Sequence, residues 1–172
     1  MATLAKNIVR AGEQRDITDL VKSYIKKGAS SNLITWAILG GKIFMAREPV
    51  SGFDFVVASK KGITKQSIIN LADIMDITMK DLAALLNVSY KTLGRKRRTD
   101  ILGSLVSSLS IEIAHTIAKG LFVFEDADKL NRWVQKNNRA LNGRKPYELL
   151  NTPTGIKMVN RVLNRMEEGV YT

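Results

Sequence analysis

The sequence predicts an all-α protein. Three observations carry that expectation. Apolar residues recur at helical spacing, most cleanly at Ile156, Val159, Leu163 and Met166. Good N-cap residues stand before such stretches: Thr64, Thr78, Ser89, Asp126 and Thr152. Residues that tolerate positive φ stand after them, as at Asn142-Gly143 and Gly169.

The elements follow in order. Asp16 to Lys27 reads as a short amphipathic helix with Ile17, Leu20, Val21, Tyr24 and Ile25 on one side. Leu33 to Leu39 is apolar, ends at Gly40-Gly41, and fits a buried strand or a helix alike at that length. Arg47 to Gly52, with Pro49, reads as a loop and Phe53 to Lys61 as a helix. Thr64 caps a helix carrying Ile68, Leu71, Ala72 and Met75. Thr78 with Asp81 three residues on forms a capping box, and Leu82, Leu85 and Leu86 make the inner face that follows. Ser89 caps a further helix expected to run to about Arg97. Gly103 and the serines behind it suggest a break, followed by a helix from about Ser110 to Phe122 with Ile113, Ile117 and Leu121 inward.

Toward the C-terminus, Asp126 caps a helix presenting Leu130, Trp133 and Val134. Pro146 suits the first position of a short helix with Tyr147, Leu149 and Leu150. Thr152-Pro153 starts the last helix, whose stripe Ile156, Val159, Leu163, Met166 is widened by Met158 and Val162. The reading divides the chain into an N-terminal region (1–60), a middle helical domain (61–123) and a small C-terminal helical domain (124–172).

Charge points to an acidic partner. The chain of 172 residues carries 27 Lys+Arg against 16 Asp+Glu, a net charge of +11. The excess is local. Lys91 to Arg98 holds five basic residues and no acid, and Lys129 to Arg165 holds nine with the single acid Glu148. With no cysteine, a disulfide framework and a thiolate metal site are excluded, which fits a reducing cytoplasm. No signal peptide is evident, and no stretch is expected to reach the apolar length that spans a bilayer.

Two segments resemble a known family. From Trp133 the chain shows an N-R-A-L-x-G loop (Asn138 to Gly143), a P-x-E-L-L turn (Pro146 to Leu150), a T-x-x-G helix start (Thr152 to Gly155) and a V-x-x-x-L-x-R-x-E-x-G-V-Y ending (Val159 to Tyr171). These resemble the toxin-binding domain of the Xre/ParS antitoxins of bacteria. Met79 to Leu93 resembles the helix-turn-helix of Xre-type DNA-binding domains: Ala83 for close approach, Asn87 at the left-handed turn position, Val88 buried in the turn and Leu93 anchoring the second helix. Lys96 departs from the apolar residue common in the wider class, and the linker from Leu102 to Ser108 lacks the Pro and Arg usual in the antitoxins. The resemblance covers residues 53 to 172.

What the resemblance implies is specific. The fold would be a helix-turn-helix domain followed by a small helical toxin-binding domain. The chain would be the antitoxin of a type II toxin–antitoxin pair, its partner a RES-domain toxin that depletes NAD. It would bind its own promoter as an autoregulator, as a homodimer or within a larger toxin–antitoxin complex. Family positions such as Leu141, Gly143, Pro146, Leu149, Leu150 and Gly155 would shape the domain. Toxin contact is expected from Lys157, Met158, Arg161, Val162, Arg165, Val170 and Tyr171, which flank the core stripe. DNA contact is expected from Ser89, Tyr90, Lys91, Thr92, Arg95, Lys96, Arg97 and Arg98, with Lys91 and Arg95 the best placed for base edges and the other cations for phosphates.

Other chemistry finds no support in the sequence. His115 is the single histidine and lies in an apolar helical pattern, where packing explains it. It has no Cys or second His with which to build a transition-metal site. Ser107, Ser108 and Ser110 lack a nucleophile elbow, and Gly40-Gly41 lacks the spacing of a phosphate loop. No catalysis, cofactor or metal is expected. The alternative reading, from another class, is a stand-alone helix-turn-helix regulator whose C-terminal domain only oligomerises.

Overall fold

Side-chain caps set where the helices begin. The structure, a computed structural model, describes residues 19–169, and all of its regular elements there are helical. Residues 19–26 form α1. Ser30 caps α2 (Ser31–Ile38), and Ser51 with Asp54 forms a full capping box on α3 (Gly52–Lys61). Thr64 caps α4 (Lys65–Ile74), and Thr78 with Asp81 forms the expected box on α5 (Met79–Leu85). Ser89 caps α6 (Tyr90–Arg95), Asp126 caps α8 (Ala127–Val134) and Thr152 caps α10 (Pro153–Glu167). Between them lie α7 (Ser104–Phe124) and the short α9 (Pro146–Leu149), which begins with its proline. Each oxygen cap satisfies a backbone N–H that the first turn leaves without a partner.

The apolar stretch that fitted strand or helix alike is helical. Ile34, Thr35, Trp36, Ala37 and Ile38 are all buried in α2. A stretch buried on every side has no amphipathic period, so its sequence could not separate the two states. Gly52, read as loop, is the first residue of α3. Of the first amphipathic helix, Val21 is buried and Leu20, Tyr24 and Ile25 pack on the core, while Asp16 and Ile17 lie outside the described residues.

Helix α7 is the axis of the molecule. It packs against α2 and α3 on one side, against α10 on another, and against α4 and α8 near its ends. The serines expected to interrupt it are inside it. Ser107 Oγ donates to the Leu102 carbonyl and accepts the Ile63 N–H, and Ser110 Oγ donates to the Val106 carbonyl at 2.7 Å. These bonds let small polar residues be buried in a helix that starts at Ser104 rather than Ser110. A second expectation is corrected with it: at 21 residues, α7 is long and apolar enough to cross a membrane by length and composition. Here that apolar surface is spent on its neighbours, with Ile111, Ile113, Ala114, Ile117, Ala118 and Leu121 in the core.

One hydrophobic cluster joins all of these elements, from Val21 through Leu71, Leu82 and Ile117 to Leu163. Among the described residues, no buried side-chain polar atom lacks a hydrogen-bond partner.

Candidate functional site

Two surfaces gather the residues singled out from the sequence. The first is the helix pair α5–α6. Its turn is built as expected: Asn87 takes a left-handed conformation, φ 54°, and the Val88 N–H bonds the Ala83 carbonyl. Leu82, Ala83, Leu85, Leu86 and Leu93 are buried beneath it, and Val88 is half-buried. The outer side exposes Ser89, Tyr90, Lys91, Thr92 and Arg95.

The basic run beyond Arg95 is not part of that helix. The expectation placed Lys96 and Arg97 on it, but α6 ends at Arg95 and Lys96 is extended, with ψ 143°. Asp100 drives the departure. Its carboxylate accepts the Arg97 backbone N–H at 2.9 Å and the guanidinium Nε at 3.1 Å, closing a turn over residues 97–100. Those bonds hold the Asp100 carboxyl below the usual carboxylate range, the Arg97 backbone bond contributing most.

This turn is strapped onto α4. The Gln66 N–H bonds the Arg98 carbonyl, the Lys65 N–H the Asp100 carbonyl, and the Leu102 N–H the Ile63 carbonyl. Carbonyls of the basic segment thus satisfy free N–H groups at the start of α4. In return Lys65 Nζ donates to the Lys96 carbonyl at 2.7 Å, placing a cation at the C-terminal end of α6. Arg98 donates to Gln66 Oε1 at 3.0 Å. Lys65 and Gln66 were not singled out from the sequence, because nothing local to residue 65 indicates a partner thirty residues away.

The second surface is the C-terminal helical unit. Asn138 organises its loop: its side chain accepts the Ala140 N–H at 2.8 Å, its own N–H bonds the Arg144 carbonyl, and its carbonyl receives the Gly143 N–H. Asn142 and Gly143, both at positive φ, close the turn. Leu141 and Leu150 are buried there, and Trp133 lies against Phe124 with ring centroids 5.5 Å apart. Gly155 is fixed by space: a Cβ on it would stand 2.0 Å from the Leu149 carbonyl oxygen, so only glycine lets α10 start against the end of α9.

Helix α10 buries Ile156, Val159, Val162 and Leu163. Its outer side carries Lys157, Arg161 and Arg165, all exposed, at successive i, i+4 positions about 6 Å apart along the axis. None of the three has an ion pair among the described residues. The 3-10 turn Arg139–Leu141 packs on α10, adding exposed Arg139 and nearby Arg144. Two expected contact residues are placed differently. Val162 is 9% exposed and packs in the core, because the α7 side of α10 is wider than a narrow stripe; Met158 is half-buried against the same core. Val170 and Tyr171 lie outside the described residues.

The two surfaces are joined directly. Tyr147 Oη donates to the Asp81 carbonyl at 3.3 Å, and the Asn87 side-chain amide to the Asn151 carbonyl at 3.1 Å. Burial, and then the Asp81 carboxylate, push the Tyr147 phenol above its ordinary value. Among the described residues, no group of three or more His, Asp or Glu side chains could hold a metal ion.

This is an all-helical protein whose C-terminal unit presents a charged helix face on a rigid, glycine-dependent turn. Residues 119–169 match the family model of the antitoxin Xre/MbcA/ParS C-terminal toxin-binding domain, so the chain carries the toxin-binding domain of that antitoxin family, which implies a cognate toxin as partner. The match starts at Lys119, inside α7, and takes in α8, α9 and α10; residues 53–118, which the sequence reading also likened to the antitoxins, lie outside it. No curated protein matches the chain.

Proposed function

We propose that this antitoxin neutralises a RES-domain, NAD-consuming toxin by laying the cationic side of α10 and the chain's C-terminal end over the entrance to the toxin's active site. The observation that carries the reading is the unpaired stripe Lys157, Arg161, Arg165 on the outer side of the toxin-binding domain. Three exposed cations in register favour an acidic protein surface and speed encounter with it. In the same proposal α6 enters the major groove of the promoter with Lys91 and Arg95. The turn at Arg97 and Arg98 meets phosphates, so the protein acts in the cytoplasm as its own repressor.

The test is cellular NAD after inducing the toxin-sized reading frame beside this gene, with and without this chain. NAD should fall with the neighbour alone and recover on co-expression. Unchanged NAD in both, with no growth arrest to relieve, would discard the antitoxin reading for a stand-alone regulator. Charge reversal at both Arg161 and Arg165 that leaves toxin binding intact would discard the assigned contact face.

A further inference from the structure

The outer side of α3 is apolar and uncovered. Phe53 is 70% exposed, Val56 45% and Val57 39%, and they sit at i, i+3 and i+4 on one helix face. Val50, 82% exposed, is held at the N-terminal end of that face by its N–H bond to Asp54 Oδ2 at 2.9 Å. The opposite face carries Phe55, buried against α7 with its ring edge-on to His115. Isolated apolar residues on a surface are ordinary, but four contiguous ones with an aromatic at the centre mark an interaction surface.

We propose that this face docks a second copy of the chain, α3 against α3, antiparallel about a two-fold axis near Val56. The charges around the patch select that occupant. Lys60 and Lys61 stand at the C-terminal end of α3, and exposed Glu48 stands in the loop folded over its N-terminal end through the Arg47–Asp54 pair. Antiparallel pairing brings each copy's lysines to the other's Glu48, whereas parallel pairing would set like charges together. A two-fold interface is self-complementary by construction, and this patch, acidic at one end and basic at the other, meets that condition. The apolar area is smaller than an obligate dimer buries, so the dimer is in the micromolar range. The surface is separate from both α6 and α10, and the inference stands apart from the toxin and DNA readings.

The experiment is analytical ultracentrifugation of the full chain over roughly 1–100 µM, the range that an interface of this size sets. The wild type should pass from monomer to dimer. Phe53→Glu should weaken the dimer at least tenfold while the circular dichroism spectrum and melting temperature hold, since the side chain is already in solvent. Lys60→Glu with Lys61→Glu should weaken it, and adding Glu48→Lys should restore it. A wild type that stays monomeric throughout overturns the proposal. So does a folded Phe53→Glu chain that dimerises as the wild type does, or a charge swap without rescue, which would exclude the antiparallel register.

Discussion

The side-chain amide of Asn87, at the turn of the α5–α6 pair, donates to the backbone carbonyl of Asn151, one residue before the cap of α10. With Tyr147 on the Asp81 carbonyl, it ties the start of the last helix to the pair proposed to read DNA. A partner that shifts α10 therefore acts on the turn between α5 and α6 without an intervening linker.

Asn87 does two things that substitution separates. Asn87→Gly keeps the left-handed backbone and removes the amide, and should cost about 0.5–1.5 kcal/mol, the worth of one hydrogen bond. Asn87→Val loses the bond and adds a left-handed penalty of about 1–2 kcal/mol for a β-branched residue. Urea unfolding that ranks the two variants equally would remove the conformational part of this account.

Gly155→Ala should damage the toxin-binding domain from within. The new methyl would overlap the Leu149 carbonyl oxygen, a backbone atom that cannot rotate away. A loss of about 1–3 kcal/mol, the usual cost of overpacking, is expected. Toxin affinity should fall with it although Gly155 itself is buried. An alanine variant as stable as the wild type would show that α9 and α10 are free to separate.

His115 should make stability depend on pH in one window. Burial holds its imidazole below the ordinary histidine value. Thr35 Oγ donates to the Ser31 carbonyl at 2.7 Å, so it accepts from His115 Nδ1–H at 3.1 Å, which fixes the neutral tautomer. The folded state therefore binds the proton less readily than the unfolded chain. Stability is full above about pH 6.5, the unperturbed value, declines as pH falls below it, and levels once pH is under the lowered folded value. His115→Gln, which keeps a partner for Thr35 and does not titrate, should flatten the melting temperature between about pH 7 and pH 5; an unchanged slope would place the dependence elsewhere.

Arg95 and Arg97 should differ on DNA. Arg95 is on α6 and exposed, whereas Arg97 is off the helix and shares its guanidinium with Asp100. Arg95→Glu should abolish specific promoter binding. Arg97→Ala should weaken binding evenly across sequences and lower the salt slope by about one, as loss of one phosphate contact does. Equal loss of specificity in both variants would mean that the turn, not the helix, reads the bases.

Much of this protein is local, and local features were legible. Caps at Thr64, Thr78, Ser89, Asp126 and Thr152, the left-handed Asn87, and the motifs from Asn138 to Gly155 are each fixed within four or five residues by one hydrogen bond or one steric exclusion. That is why helix starts and the toxin-binding domain could be read from the chain alone. Tertiary structure decided what depends on distant partners. Leu33 to Leu39 became a helix because α7 and α4 bury it on both sides. The serines of α7 stayed helical because backbone groups there accept them, and Ile63 returns a bond to Ser107. Helix α6 stopped at Arg95 because Asp100 and Lys65 hold the strand of chain beyond it, and Val162 turned inward because the core beside α7 reached that far around α10. Periodicity reports how wide an apolar stripe is; only packing reports which edge of it is left for a partner.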